Sequence, residues 1–345
     1  NAHKTLEKCI KSVIKQTFKE WELILIDDCS EDKSLEIIKK YSKIDHRIKY
    51  IQKEQNIQSL LARIDGINIA TGDFITFLDA DDWFYKNALQ SLYQNSIETN
   101  ADVVLGAWRR TFDNYGIFKT KPLNIYYNKL IEGVYNKEKM EELFGYSFFS
   151  NHRLPVINWA KLYKKELFND LSYYNVPKIL KGTDLYLNLI IFPKITKISF
   201  IKDLTVIYRD GGISQKITPN YLENVNEIYL LRKKLLENSS KKEQAYFYMN
   251  KELANTFYFY LVDCVYIEKI NVEQIKTKFL EFKNNISYQD FISNLNQNDF
   301  LHYDFYNSLE NGNFEKVYQL INEKIAKFRF KRGLRKFIGN ILLKF

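Results

Sequence analysis

The chain has 345 residues, room for about two domains at ~100–200 residues each, and its 46% hydrophobic, 27% charged and 16% aromatic content with only 12 Gly and 5 Pro excludes collagen-like and disordered classes. Of its net charge of +9, the segment 324–345 supplies eight Lys or Arg and no acid, so the body is close to neutral and lacks the broad basic face that a nucleic-acid binder needs. Three scattered cysteines, Cys9, Cys29 and Cys264, make neither a disulfide framework nor a zinc knuckle.

In chain order, Leu6, Cys9, Ile10, Val13 and Ile14 recur at helical spacing and predict an amphipathic helix at the start. The chain enters this helix directly from Asn1-Ala2-His3, so a preceding first strand is expected to be missing. Glu22 to Ile26 reads as a short buried strand ending at Asp27-Asp28. A polar helix over about 32–41, a strand over 47–51 and a helix traced by Leu60, Leu61, Ile64, Ile67 and Ile69 come next. Gly72 then punctuates the chain before a strand over 74–78. This alternation with short connections predicts a parallel α/β sheet. From Ala101 to about Tyr208 the pattern loosens, with strands expected at Val103–Leu105 and Ile198–Ile201, an Asn-rich stretch near 124–136 and an aromatic one near 144–149. Beyond about Pro219 nearly everything reads as helix.

Ligands gather at the carboxyl ends of strands in such sheets, and two strands here end in carboxylate clusters, Asp27-Asp28 and Asp79-Ala80-Asp81-Asp82. Alternation along an extended segment puts Asp79 and Asp81 on one side. Carboxylate oxygens suit a hard divalent cation that keeps positions free for phosphate, so a metal-diphosphate site fits; the competing reading is acids that satisfy free N–H groups at a helix N-terminus. Other chemistries lack their residues. His3, His46, His152 and His302 show no zinc-hydrolase spacing, and no Gly-x-Ser-x-Gly elbow, Walker loop or Gly-x-Gly-x-x-Gly turn occurs. Cys9 falls on the apolar face of its helix and is expected in the core.

Residues 1–85 resemble the N-terminal half of the family 2 glycosyltransferases of the GT-A fold. The resemblance is carried by Leu6 to Val13, Gln16-Thr17-Phe18, Trp21 to Ser30, Ala62-Arg63 with Gly66-Ile67, and Thr71 to Trp83. It is similar in particular to the bacterial enzymes that extend lipooligosaccharide and capsule, galactosyltransferases among them. The resemblance implies that Asp28 accepts a hydrogen bond from the uracil ring, and that Arg63 lies near the nucleotide, where a guanidinium stacks or binds phosphate. It also implies that Asp79 faces the ribose or sugar and that Asp81, or Asp82 instead, holds Mn²⁺ or Mg²⁺ on the diphosphate. Inverting transfer needs a base opposite the leaving diphosphate. The family supplies it from a Glu-Asp pair opening a helix, and the matching segment here, Lys181 to Asn188, makes Asp184 the candidate, with Thr183 where Glu is usual.

Asn158 to Phe168 is similar to the stretch that precedes this base, with Trp159 as a wall for a sugar face and Lys161 toward acceptor or phosphate, or else both in the core. Tyr208 to Ser214 resembles a later loop that closes over the donor, in which Arg209 helps neutralise the departing diphosphate and Gly211-Gly212 allow movement.

The expectation is therefore an α/β GT-A (nucleotide-diphospho-sugar transferase) domain over 1–215 with a mainly parallel, mixed sheet, a helical region over 216–323 and a basic amphipathic tail helix over 324–345. The function expected is metal-dependent inverting transfer of a hexose or N-acetylhexosamine from a UDP-sugar to a hydroxyl of a growing surface glycan, free or lipid-linked. With no apolar run of ~18 residues and no signal peptide, the chain is expected in the cytoplasm. Its tail, which interleaves apolar residues with the eight cations, would dock it on the inner face of the cytoplasmic membrane. The alternatives are a sugar nucleotidyltransferase and a catalytically silent glycan- or membrane-binding protein on the same fold.

Overall fold

A computed structural model of the chain describes residues 1–111, 132–144, 155–169, 171, 179, 182–209, 220–237, 242–293 and 302–327. The 210–214 loop with Gly211-Gly212, the aromatic residues 145–149, most of the Asn-rich stretch and tail residues 328–345 lie outside the described residues. The chain divides into two compact units, Asn1–Lys216 and Ile217–Phe345.

In the first unit, α1 (Leu6–Ile14) buries Leu6, Cys9, Ile10 and Val13, the residues whose spacing announced it. Burial pushes the Cys9 thiol up, with nearby carboxylates adding to the effect, so Cys9 is an inert core residue. Strand β1 (Leu23–Asp27) pairs in parallel with β2 (Ile48–Gln52), from Leu23↔Ile48 to Asp27↔Gln52, across α2 (Ser34–Ile44). Helix α3 (Gln58–Ile69) follows.

A second, six-stranded sheet holds β3 (Phe74–Ile75), β4 (Trp83–Phe84), β5 (Val103–Thr111), β6 (Gly133–Asn136), β7 (Lys161–Lys164) and β8 (Lys197–Arg209), in the order β3-β7-β5-β8-β4 with β6 also on β8. β5 and β8 are parallel, whereas β3–β7, β4–β8, β5–β7 and β6–β8 are antiparallel. The sheet is thus mixed, with β5 and β8 parallel at its centre and antiparallel neighbours around them. From Val103 to Trp108 every residue of β5 is buried, as expected of a central strand covered on both faces. Helix α4 (Ala88–Thr99) packs on β5 and β8, where Leu92, Ala101, Val104, Leu162 and Ile201 form a core cluster.

The order of strands decides where the acids go. β3 and β4 lie at opposite edges of this path, four strand spacings or ~19 Å apart, and residues 76–82 cross that distance over the carboxyl ends of β5 and β8. The crossing carries Asp79, Asp81 and Asp82 over the end of the sheet.

Gly106 fixes the closest approach of the two central strands. A Cβ there would lie 2.2 Å from Thr205 Cγ2 and 2.8 Å from Thr205 Oγ1, and Thr205 is fully buried with its hydroxyl donated to Ala107 O at 3.0 Å. Gly106→Ala is expected to cost ~1–3 kcal/mol through overpacking, read by urea unfolding, and less in a Thr205→Ala background. An equal loss in both backgrounds would refute the clash.

Two further helices, α5 (Lys137–Phe144) and α6 (Thr183–Ile191), complete the first unit. The second unit is helical in its described residues, built from α7 (Tyr221–Leu235), α8 (Lys242–Asp263), α9 (Val272–Lys283), α10 (Ile286–Ser293), α11 (Tyr303–Glu310) and a helix over 314–327. Its core is aromatic: Phe257 stacks on Phe282 at 4.0 Å, and Tyr288, Phe291 and Tyr306 meet edge to face around them. A reciprocal cap between Asn271 and Gln274 starts α9. Among the described residues no helix is long and apolar enough to cross a membrane.

Candidate active site

The crossing segment is pinned before any ligand arrives. Asp82 N donates to Asp79 O at 2.9 Å, closing a turn, while Thr5 Oγ1 and Cys9 Sγ of the α1 region donate to Ala80 O and Asp79 O. Asp81 Oδ2 pairs with Arg209 Nη2 at 2.7 Å, and Asp82 Oδ1 accepts the Arg209 backbone N–H at 2.7 Å. Asp82 is fully buried, and its Oδ2 has no hydrogen-bond partner. Burial, reinforced by Asp79 and Asp81, pushes its carboxyl up to about 9. Burial also raises Asp81, against the pull of Arg209.

A second cluster assembles from three distant segments. Arg63 on α3 donates Nη1 to Asp184 Oδ1 at 2.7 Å and to Thr183 Oγ1 at 3.2 Å, and Nη2 to Asp79 Oδ1 at 2.9 Å. One guanidinium therefore spans the crossing segment and the start of α6. Burial works against its charge, and Asp184 and Asp79 more than offset it, holding Arg63 above its ordinary value. Asp184 sits in the first turn of α6 behind Gly182, whose φ of 85° lies in the left-handed region that glycine tolerates. Neither Thr183 nor Asp184 caps that helix, since the N-cap is Gly182 and no side-chain cap bond forms. Burial raises the Asp184 carboxyl and Arg63 opposes the rise.

Two asparagines hold Asp184 from behind, and sequence reasoning gave neither a role. Asn158 donates its backbone N–H to Asp184 Oδ2 and its side-chain amide to Oδ1, both at 3.2 Å. Asn188, one turn further along α6, donates to Asp184 O at 2.7 Å and Asn158 Oδ1 at 2.6 Å. The i, i+4 spacing of Asp184 and Asn188 was the available signal.

Three further expected site residues have partners within the fold. Asp28 caps α3: its Oδ1 accepts Ile57 N at 2.6 Å and its Oδ2 accepts Gln58 N at 2.9 Å, which leaves lone pairs but no empty oxygen. Beside it, at the ends of β1 and β2, opens a cleft of about 610 Å³ lined by Gln52, Lys53, Glu54, Gln55 and Ile57. Trp159 is 6% exposed, stacked on Tyr208 at 5.1 Å and edge-on to Trp108 at 5.4 Å, so its ring serves the core and offers no open wall to a sugar. Lys161 is likewise interior. Its Nζ donates to Pro155 O at 2.7 Å and Asn188 Oδ1 at 3.3 Å, and burial pushes it down to about 7 although nearby Asp184 pulls the other way. It supports Asp184 through Asn188 and does not face an acceptor.

No group of three His, Cys, Asp or Glu side chains able to hold a metal occurs among the described residues. The donor set is smaller: Asp82 Oδ2, buried and unpartnered, with Asp81 engaged by Arg209. One or two carboxylates fit a cation such as Mg²⁺ that takes its remaining ligands from phosphate and water.

Comparison with known proteins bears on the family and the fold. The model of "Glycosyl transferase family 2" matches residues 1–158. The glycosyltransferase GlyG of Streptococcus pneumoniae is 30% identical over 219 residues, 61% of this chain and 67% of that protein. GlyA of the same organism is 32% identical over 241 residues, 69% of this chain, and the chain spans only 34% of its length. Among solved structures, Staphylococcus aureus TarS 1-349 in complex with UDP-GlcNAc has a TM-score of 0.67 at 18% identity, covering 94% of this chain and 89% of that one, which establishes a shared fold.

Proposed function

Since the chain belongs to glycosyl transferase family 2, we propose that it transfers a hexose or N-acetylhexosamine from a UDP-sugar, with inversion, to a hydroxyl of a growing surface glycan carried on lipid or free as an oligosaccharide. The observation that supports this reading is the Arg63 fork, which holds Asp184 at 2.7 Å and Asp79 at 2.9 Å and so brings together the two carboxylates that the reading assigns to the base and to the donor side.

In this reading the cleft beside Asp28 receives the nucleoside, its volume lying in the ~300–1,000 Å³ range of ligand sites, and Asp79 meets the ribose or sugar. Asp82, with Asp81 beside it, holds Mn²⁺ or Mg²⁺, and a bound cation would supply charge neutralisation on the leaving diphosphate. Arg209 adds a positive charge at the same end of the sheet. Asp184, held by Asn158 and Asn188, takes the proton of the acceptor hydroxyl as the new C1–O bond forms. Thr183 stands where a second carboxylate is usual in the family, and it receives one Arg63 N–H; a Glu there would compete with Asp184 for the guanidinium. Attachment to the inner face of the cytoplasmic membrane through the basic tail is part of the same proposal, and loss of liposome co-sedimentation on removing 324–345 is its test.

Calorimetric titration of UDP, GDP and CMP with Mn²⁺ or EDTA tests the donor site. UDP is expected to bind in preference to the other two, tenfold or more weaker in EDTA, and Asp82→Ala is expected to lose the metal dependence, because removing a charged ligand forfeits ~1.5–3 kcal/mol. Absence of nucleotide binding under every condition would overturn the transferase reading in favour of a silent fold.

A further inference from the structure

At the carboxyl end of β5, Arg109 and Arg110 follow Trp108, and the parallel register pairs Arg109 with Ile207, Arg110 with Tyr208 and Thr111 with Arg209. Directly paired residues point to the same face of a sheet and alternate along each strand. Arg109, Ile207 and Arg209 therefore share one face, and Arg110 goes to the other, where its guanidinium lies over the Tyr208 ring at 5.8 Å. The two consecutive arginines are not equivalent.

On the shared face the charges do not balance. Arg209 is bound to Asp81, and that carboxylate is taken. Among the described residues the Arg109 side chain has no ion pair and no hydrogen bond, and its Nε is buried without a partner. Its two terminal nitrogens are not among the buried unsatisfied atoms, so they reach solvent. Across the sheet Trp83 pairs with Ile207 and presents an aromatic side chain on the same face, and Tyr85, whose phenol burial raises, feels the Arg109 charge. No acid among these neighbours offsets it. Two guanidiniums on diagonal positions of one face, of which only Arg209 holds a carboxylate, leave on Arg109 a positive charge with no partner among the described residues of the fold.

We propose that Arg109, beside Arg209, forms an oxyanion subsite at the carboxyl end of the sheet that takes a phosphate group. A half-buried guanidinium with its fork open matches two phosphate oxygens at once, and the position, next to the crossing of Asp79 to Asp82, is where ligands of such sheets collect. The phosphate belongs either to the donor diphosphate or to a phosphorylated acceptor. The subsite itself needs only an anion, so it stands apart from the assignment of Asp184 as base.

The test uses two charge-matched variants, Arg109→Gln and Arg110→Gln, and two probes, inorganic phosphate and UDP, titrated into the full chain. Phosphate binding is expected to weaken about tenfold or more in Arg109→Gln, the loss of one charge-assisted interaction, and to change less than about twofold in Arg110→Gln. Arg109→Lys, which keeps the charge without the fork, is expected to lose less. If UDP weakens in parallel and UDP-saturated protein takes no phosphate, the donor diphosphate occupies the subsite. If UDP is unaffected and UDP-saturated protein still takes phosphate, the subsite receives an acceptor phosphate. Equal losses in the two Gln variants, or none in either, would overturn the proposal, and a chain that fails to bind UDP but keeps the Arg109-dependent phosphate site would sink the transferase reading while leaving this one intact.

Discussion

Asp184→Asn is expected to lower kcat for sugar transfer by about 10²–10⁴-fold, the usual contribution of a positioned general base, while calorimetric UDP affinity stays close to that of the native chain. The substitution is nearly isosteric. Asn158 approaches the Asp184 carboxylate as a donor, so the oxygen of the introduced amide can take over part of its bonds, while the Asn188 bond to the main-chain carbonyl is untouched, and the loss falls on proton removal rather than on folding. A matched pH profile follows from the same environment. Burial raises the Asp184 carboxyl and Arg63 only partly restrains it. The carboxylate is the active form, so activity falls as pH drops through the raised value. The acid limb of kcat therefore lies above the ordinary range for aspartate, near ~3.9. Unchanged kcat in Asp184→Asn would remove it from catalysis, and an acid limb below that range would contradict the burial argument.

The parts of this site written in contiguous sequence were legible, and the parts built by folding were not. Leu23 to Asp27 and Val103 to Leu105 announce strands because consecutive apolar residues have one use in an α/β chain. Asp79 to Asp82 announces a ligand-facing end because a run so rich in carboxylates cannot continue a buried strand. The short strands β4, β6 and β7 left no such trace: Lys161 to Lys164 is half charged, and it is a strand only because Val103 to Leu105 and Phe74-Ile75 flank it in the sheet. The Arg63 fork joins residues 121 positions apart, which no local pattern encodes. The assignments that moved were those in which a polar or aromatic residue had a structural use as good as its chemical one. Trp159 packs on Tyr208, and Lys161 bonds Asn188 behind Asp184. Arg109 received no role from the sequence, because only strand register separates it from Arg110 by sending the two to opposite faces.

Arg63→Met is expected to destabilise the first unit by about 3 kcal/mol, the lower end of the ~3–5 kcal/mol that follows removal of one partner from a buried ion network. The side chain is 15% exposed, and its partners Asp79 and Asp184 are 38% and 25% exposed, so water offsets part of what Asp79 loses. Asp184 is left worse placed: burial and Asp79 already raise it, and Arg63 heads what lowers it. Without the guanidinium its carboxyl rises further, and the acid limb of activity moves to higher pH. Stability shifts with it. A carboxyl held above its unfolded value binds a proton more tightly in the native state, so its ionisation costs stability as pH climbs through that interval, and the Arg63→Met deficit is expected to grow from acid toward neutral pH. Arg63→Lys keeps one charge but cannot reach both carboxylates with a planar fork, and it is expected to recover stability more than activity. The decisive measurement is a double-mutant cycle by urea unfolding at neutral pH: Asp184→Asn should relieve part of the Arg63→Met loss, because the orphaned charge is then gone. Additive losses would mean that the guanidinium serves packing alone, and that the link between donor acids and base is not made through Arg63.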